Sequence, residues 1–337
     1  MLLCILLFGS GFALGFLFYQ YSTPKNNQVP VYGLRSVNGG KEAYTLINPL
    51  VGFDMAESKK ESYLALKNVL NSYIEDKKTD EAVQIVSVYF RNLANGQWIG
   101  INENEEYDSA SLFKLPVMME YYSLAETNPK ILEKKLKFTD KDIAELNKIT
   151  NVDLESTLQK NTFYSVDELI TAMIVRSDNM ARYLLLLNSP TDPFLEIFRD
   201  LGLNAKEGNY KISPKMYSLL LRALYNSTIL SHAMSEKALE LLVRVDYGDG
   251  LRAGLPPSVK LAQKFGRYWE SNTDGTFKYG DLHDCGIVYY TLEHPYLLCI
   301  MTRGVVEETK LASIIKDISK LTYDFVSKNS EMLNVDQ

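Results

Sequence analysis

The chain has 337 residues, 46% of them hydrophobic, enough to bury a large core as one big α/β domain or two small ones. Its net charge of −6, with no basic stripe, argues against nucleic acid as a main partner. Cys4, Cys285 and Cys299 form no C-x-x-C pair and the three histidines are scattered, so no metal site, no disulfide framework and no cofactor is expected.

Residues 1–21 read as a transmembrane anchor or a signal peptide. Met1 to Tyr19 carries no charge, and about 20 apolar residues cross a bilayer. Phe16, Phe18, Tyr19 and Tyr21 suit the interface. No small-x-small cleavage pattern follows, which favours an uncleaved anchor and makes the membrane a partner of this segment. Residues 22–57, with Pro24, Pro30, Gly33, Gly39, Gly40 and Pro49, read as a tether to a folded domain over 58–330.

That domain opens with a helix from about Ser58 to Glu75, whose apolar face is Tyr63, Leu64, Leu66, Val69, Leu70 and Tyr73. Strands Val83–Phe90 and Gln97–Ile101 follow, joined around Asn95-Gly96, a strong hairpin signal. A helix is expected from Ser111 onward, through Leu112, Leu115, Met118, Met119 and Tyr122. Ser165-Val166-Asp167-Glu168 fits a capping box opening the run Leu169–Val175. Met180–Asn188 reads as another helix, and Ser213-Pro214 opens one more, with Pro at its first position.

Strands return at Val259–Gly266, Cys285–Tyr290 and Tyr296–Thr302, before an amphipathic helix over Val306–Ser327. Strands thus come from both chain ends and helices from the middle. The expected fold is α/β of the α+β type: a mostly antiparallel sheet packed with helices, plus a central helical subdomain. Cys285 and Cys299 are equidistant from the presumed turn. Two packed thiols are the plain reading; a bond requires Cα atoms within about 7 Å.

Three short strings carry chemistry in order: Ser111-Leu112-Phe113-Lys114, Ser177-Asp178-Asn179 and Lys264-Phe265-Gly266. Residues i and i+3 of a helix share a face, so Lys114 can reach the Ser111 hydroxyl. Serine is a poor nucleophile until a base takes its proton. Each string also has a plain reading: a capping serine with an exposed lysine, an interhelical turn, a strand ending in glycine. The S-x-x-K spacing also occurs at Ser22–Lys25, beside the apolar segment, and at Ser313–Lys316, inside the terminal helix. Only Ser111 begins an element and has the other two strings behind it.

As S-x-x-K, S-D-N and K-x-G, this set resembles that of the penicillin-recognising serine enzymes, the class A β-lactamase-like family. The likeness covers about 45–330. It extends to Asn48-Pro49-Leu50, to Ile212-Ser213-Pro214 with Met216, and to His283-Asp284-Cys285-Gly286-Ile287-Val288-Tyr289. It implies a β-lactamase/transpeptidase-like fold and a small-molecule β-lactam or a D-Ala-D-Ala-like cell-wall peptide as partner. It also implies a location outside the cytoplasm, anchored to the membrane or secreted.

By that resemblance Ser111 is the acylated nucleophile and Lys114 its base or part of the proton relay. Ser177 passes a proton to the leaving nitrogen. Asn179 binds the substrate amide and steadies Lys114. Lys264 supplies positive charge toward the substrate carboxylate, Gly266 and Arg267 bind substrate beside Asn179, and the amides of Ser111 and Arg267 form the oxyanion hole.

Two departures stand out. Phe265 replaces the family's Thr or Ser and donates no hydroxyl; it either turns into the core or leaves the carboxylate to Arg267. The family's deacylating glutamate sits in a long loop before the helix that begins here near Ser213. Phe194–Ile212 instead reads as a helix ending at Gly202 and a short connection whose single carboxylate is Glu207. An acyl-enzyme is then expected to form and to hydrolyse slowly. A peptidoglycan D,D-carboxypeptidase or transpeptidase, and a catalytically impaired cell-wall-binding relative, are the alternatives.

Overall fold

A computed structural model describes residues 45–47, 63–78, 82–142, 144, 156–203, 210–291 and 294–333. All lie in one unit of the chain, 34–337. The apolar segment 1–21, the Asn48-Pro49-Leu50 string, the Ser22–Lys25 pair and Glu207 fall outside the described residues. Among the described residues, no helix is long and apolar enough to cross a membrane.

Helix α1 spans Leu64–Lys78 and buries Leu66, Leu70 and Ile74. Strands β1 (Val83–Asn92) and β2 (Trp98–Ile101) form the expected hairpin. Its turn depends on Gly96 at φ +74, a conformation glycine adopts without strain. Asn92 Oδ1 accepts from the Ala94 amide at 2.8 Å and fixes the turn.

After the short strand β3 (Tyr107–Asp108) comes a 3-10 turn, Ala110–Phe113, and only then helix α2 (Lys114–Thr127). The sequence pointed to a helix beginning at Ser111. The chain winds more tightly there, and in a 3-10 turn residues i and i+3 eclipse. A second 3-10 turn, Pro129–Glu133, leads to β4 (Lys135–Lys137), which pairs with β5 (Phe163–Ser165). Helix α3 (Val166–Val175) starts at the predicted capping box: Ser165 caps the Glu168 amide, and Glu168 reaches back to Ser165 N at 2.6 Å.

Helix α4 is Asn179–Asn188 and α5 is Pro193–Asp200, followed by Gly202 at φ +73. Strand β6 (Lys211–Ile212) pairs with β3, and α6 is Pro214–Tyr225, capped by Ser213. Helix α7 (His232–Val243) was not anticipated; Ser231 caps it. Its Glu236 carboxylate accepts from the backbone amides of Thr45, Leu46 and Ile47 at 2.9–3.1 Å and pins that segment.

A short helix α8 (Gly250–Ala253) precedes β7 (Lys260–Ser271), β8 (Phe277–Tyr289), β9 (Tyr296–Gly304) and the long helix α9 (Glu308–Leu333). Strands β7 and β8 run farther outward than predicted, to a turn with Gly275 at φ +82. The main sheet is antiparallel in the order β2-β1-β9-β8-β7. β9, from the end of the chain, sits between β1 and β8, so the two chain ends meet in one sheet.

Alternation along the strands makes the sheet a divider between two cores. Cys285, Ile287, Leu297, Cys299 and Met301 face the helical middle of the chain. Val86, Val88, Phe90, Leu298 and Ile300 face Leu66 and Leu70 of α1 and Leu311, Ile314 and Ile318 of α9. Cys285 and Cys299 stand directly opposite each other, Cα atoms 3.9 Å apart, and are joined by a disulfide. That corrects the expectation of two free, packed thiols: cross-strand register brings them into bonding range.

Candidate active site

The site lies where the Ser111 turn, the loop between α3 and α4, and the outer strand β7 meet. Ala110, just before Ser111, has φ +48, and Ser177 has φ +55. Both are costly for residues with a Cβ, and such strain gathers at functional sites. Asp178 holds the Ser177 loop in place. It caps the Ala181 amide at 2.9 Å and accepts from the Thr157 amide at 2.7 Å. It also accepts from the hydroxyls of Ser156 and Thr157 at 2.9 and 3.0 Å.

Gly266 lies tightly against the Ser111 turn. A Cβ there would stand 3.1 Å from the amide nitrogens of both Ser111 and Leu112, and 3.3 Å from Ala110 Cβ. β7 therefore runs directly against the Ser111 turn. The third string lies within this strand rather than at its end.

Lys114 is fully buried, which rules out the exposed lysine of the plain reading. Its Nζ donates to the Ser177 carbonyl, to Ser177 Oγ at 3.0 Å and to Asn179 Oδ1 at 2.8 Å. Asn179 and Lys114 are thus in direct hydrogen-bond contact. Lys264 approaches from the strand, also fully buried, and its Nζ reaches Ser177 Oγ and the Phe265 carbonyl, both at 3.0 Å. One hydroxyl therefore links two buried amines.

Burial holds the Lys114 amine well below its ordinary range, and the charges of Lys264 and Arg182 push it further down. A lysine in that condition can be neutral and can accept a proton. Lys264 is lowered to about 7 by burial, against which the Asp284 carboxylate pulls it up. Asp284 itself is raised to about 7 by burial, opposed by a bond from the Leu251 amide at 2.9 Å and by Lys264.

Phe265 joins neither core. Its ring stacks on Tyr247 at 4.1 Å, with Lys264 Nζ 4.2 Å and Arg267 Cζ 5.2 Å from the ring centre. Arg267, the alternative carboxylate binder, pairs with Glu308 at 3.2 Å. The third-string lysine thus reaches the site, while its neighbour is an aromatic support with no hydroxyl.

Four contributors were missed. Asp284 was noted only as flanking sequence, although a carboxylate inside an apolar strand was the available signal. Tyr247, Glu308 and Arg182 gave no local signal, because they meet the site only through the tertiary fold. The Ser313–Lys316 copy of S-x-x-K stays away: Ser313 is exposed on α9, and Lys316 pairs with Asp317.

On the side of Phe113, α5 and the chain after it form an aromatic cluster. Phe113 stacks on Phe194 at 5.7 Å, and Tyr210 meets both rings edge-on at 5.3 Å. Among the described residues, no carboxylate bonds the Lys114 amine. Asp192 is taken by Tyr210 and the α5 cap, and Glu196 by Arg199.

A model of the beta-lactamase enzyme family matches residues 65–326. No curated protein matches the chain. Among solved structures, PBP-A is 19% identical at a TM-score of 0.64, over 78% of this chain and 97% of that one. A beta lactamase from Xanthomonas campestris pv. campestris is 20% identical at 0.64, over 77% and 98%. An ancestral class A β-lactamase is 21% identical at 0.62, over 76% and 99%. These identities establish the fold, and with the family match over most of its length the chain belongs to the beta-lactamase enzyme family.

Proposed function

We propose that this chain is a serine hydrolase acylated at Ser111 by β-lactams or by D-Ala-D-Ala-like cell-wall peptides, and that it releases the acyl group slowly. The observation that carries the reading is the pair of buried amines, Lys114 and Lys264, on one hydroxyl, Ser177 Oγ, beside the Ser111 turn.

Ser111 Oγ attacks the carbonyl carbon, and its proton passes to the lone pair of the Lys114 amine, whose neutral form keeps two N–H donors for the Ser177 carbonyl and Asn179 Oδ1. The carbonyl oxygen gains the negative charge and is held by the Ser111 and Arg267 amides, the Ser111 amide standing against Gly266 of the strand that carries Arg267. Collapse breaks the C–N bond. The leaving nitrogen takes a proton from Ser177 Oγ, resupplied from Lys114 or Lys264.

Hydrolysis of the ester needs a base for water. Lys114 is bonded to Ser177 and Asn179, and among the described residues no carboxylate bonds its amine; the Phe113 side is lined by the Phe194 and Tyr210 rings. A missing general base costs about 10²–10⁴ in rate. That same feature favours a peptidoglycan D,D-carboxypeptidase or transpeptidase as the second reading. A catalytically impaired relative is disfavoured, because a fully buried lysine bonded to the site serine and asparagine is costly to keep without a task. A single-site mutant of PBP-A, among the similar folds, has been captured as an acyl-enzyme with penicillin G. The apolar segment 1–21 supports a membrane tether, and the Cys285–Cys299 disulfide suits an oxidising compartment outside the cytoplasm.

Intact mass after incubation with a labelled penicillin tests the reading. A persistent adduct is expected, lost in Ser111→Ala and kept in Ser313→Ala. Labelling that survives Ser111→Ala sinks the assignment.

A further inference from the structure

A substrate carboxylate entering this site meets cations that are already engaged. Lys114 is committed to Ser177 and Asn179. Lys264 is fully buried and bonded to Ser177 Oγ and the Phe265 carbonyl. Phe265 has no hydroxyl to offer. Arg267 is the accessible cation, with 46% of its side chain exposed. It lies against the same Phe265 ring as Lys264, so its guanidinium borders the reacting group of residues.

Arg267 is nevertheless held. Its Nη2 stands 3.2 Å from Glu308 Oε1, at the first residue of α9. Glu308 is itself only 27% exposed and comes from the far end of the chain. A guanidinium takes carboxylates through its fork of N–H donors, so Glu308 competes for the donors that an incoming carboxylate would use. An anion approaching there also meets the like charge of Glu308.

We propose that Glu308 is a specificity-determining residue: a built-in carboxylate that caps Arg267 and disfavours substrates carrying a free carboxylate at this edge of the site. Between two forms of one acyl donor, the form that is neutral there, with its carboxylate amidated or esterified, is spared this competition, while β-lactams and D-Ala-D-Ala-like ends still bind. The inference depends on the serine-hydrolase reading only for the identity of the substrate. A partly exposed ion pair is weak, so the discrimination is about fivefold rather than absolute.

The test measures equilibrium binding of benzylpenicillin and of its neutral methyl ester to the Ser111→Ala chain, so that no covalent step intervenes. Adding Glu308→Gln is expected to tighten benzylpenicillin about fivefold and leave the ester unchanged. Arg267→Gln is expected to weaken benzylpenicillin relative to the ester, and to cancel the gain from Glu308→Gln. An unchanged ratio of the two affinities in both variants, or no benzylpenicillin binding to any form, overturns the proposal. Ser111 labelling is read separately. Labelling without the shift in ratio removes Glu308 alone, and the shift without labelling removes the hydrolase reading alone.

Discussion

Lys114 and Lys264 meet at a single oxygen: the Nζ of each lies 3.0 Å from Ser177 Oγ. Two ammonium groups sharing one buried acceptor repel, so one of them gives up its proton first. Burial and the neighbouring cations hold Lys114 well below its ordinary value, while Asp284 supports the charge on Lys264. Acylation needs Lys114 neutral and Lys264 charged. Its rate is expected to fall as pH rises through about 7, where Lys264 loses its proton. Asp284→Asn removes the supporting negative charge and moves that alkaline limb to lower pH. Acylation rates from a labelled penicillin between about pH 5 and 9 report the limb, and one that stays in place in Asp284→Asn refutes the assignment.

The left-handed backbone at Ser177 separates chemistry from stability. Ser177→Ala and Ser177→Gly both delete the hydroxyl that the two lysines share, and both are expected to slow acylation by about 10² or more. They differ in the backbone, since φ +55 strains alanine and suits glycine. Ser177→Gly is therefore expected to be more stable than Ser177→Ala by about 1 kcal/mol, measured by urea unfolding. Equal stabilities mean that the loop relaxes out of this conformation in the variants.

Gly266→Ala tests the close approach of β7 to the Ser111 turn. The new Cβ would stand 3.1–3.3 Å from two backbone nitrogens and Ala110 Cβ, so the Ser111 turn must give by a few tenths of an ångström. A displacement of about 1 Å in a catalytic group can cost about 10²-fold. The variant is expected to remain folded, because the strand loses no hydrogen bond, and to acylate at least tenfold more slowly. Normal acylation in Gly266→Ala removes the argument that this gap shapes the oxyanion site.

Features whose cause is local were legible in the sequence. The Asn95-Gly96 turn, the Ser165–Glu168 capping box and Pro214 at the first turn of α6 each act within a few residues, and each is present. The order of the three strings pointed to Ser111, Lys114, Ser177, Asn179 and Lys264 as one set; the side chains of Lys114, Ser177, Asn179 and Lys264 meet, and Gly266 of the third string lies against the Ser111 amide. What stayed hidden depends on distant pairing. The outer halves of β7 and β8 alternate charged and aromatic residues, with exposed Trp269 and Phe277, and gave no buried strand signal. Glu308 reaches Arg267 only after α9 folds back across the sheet. The Cys285–Cys299 bond follows from a register that the turn alone does not fix.

Adjacent residues on β8 give the last prediction, because their proton affinities shift in opposite directions. His283 is fully buried, packed edge-on against Tyr107 at 5.1 Å, with Nε2 bonded to the Asp108 carbonyl at 3.1 Å and Nδ1 without a partner. Burial lowers it from 6.5 to about 4. Between those values the unfolded chain binds a proton that the native chain refuses, so this histidine costs stability as pH falls from 6.5 toward 4. The full effect is about 3 kcal/mol, at about 1.36 kcal/mol per pH unit. Asp284 is raised from 3.8 to about 7, so over much of the same range the native chain binds the extra proton. Its contribution therefore grows as pH falls and offsets that of His283. His283→Gln keeps an N–H donor for the Asp108 carbonyl but does not titrate; relative to the parent, its stability is expected to rise on acidification. Asp284→Asn is expected to do the reverse and lose stability steeply below about pH 6.5. Urea unfolding at several pH values gives both slopes. Variants whose slopes match the parent, or shift in the same direction, show that these two side chains do not titrate with the opposed shifts that their burial implies.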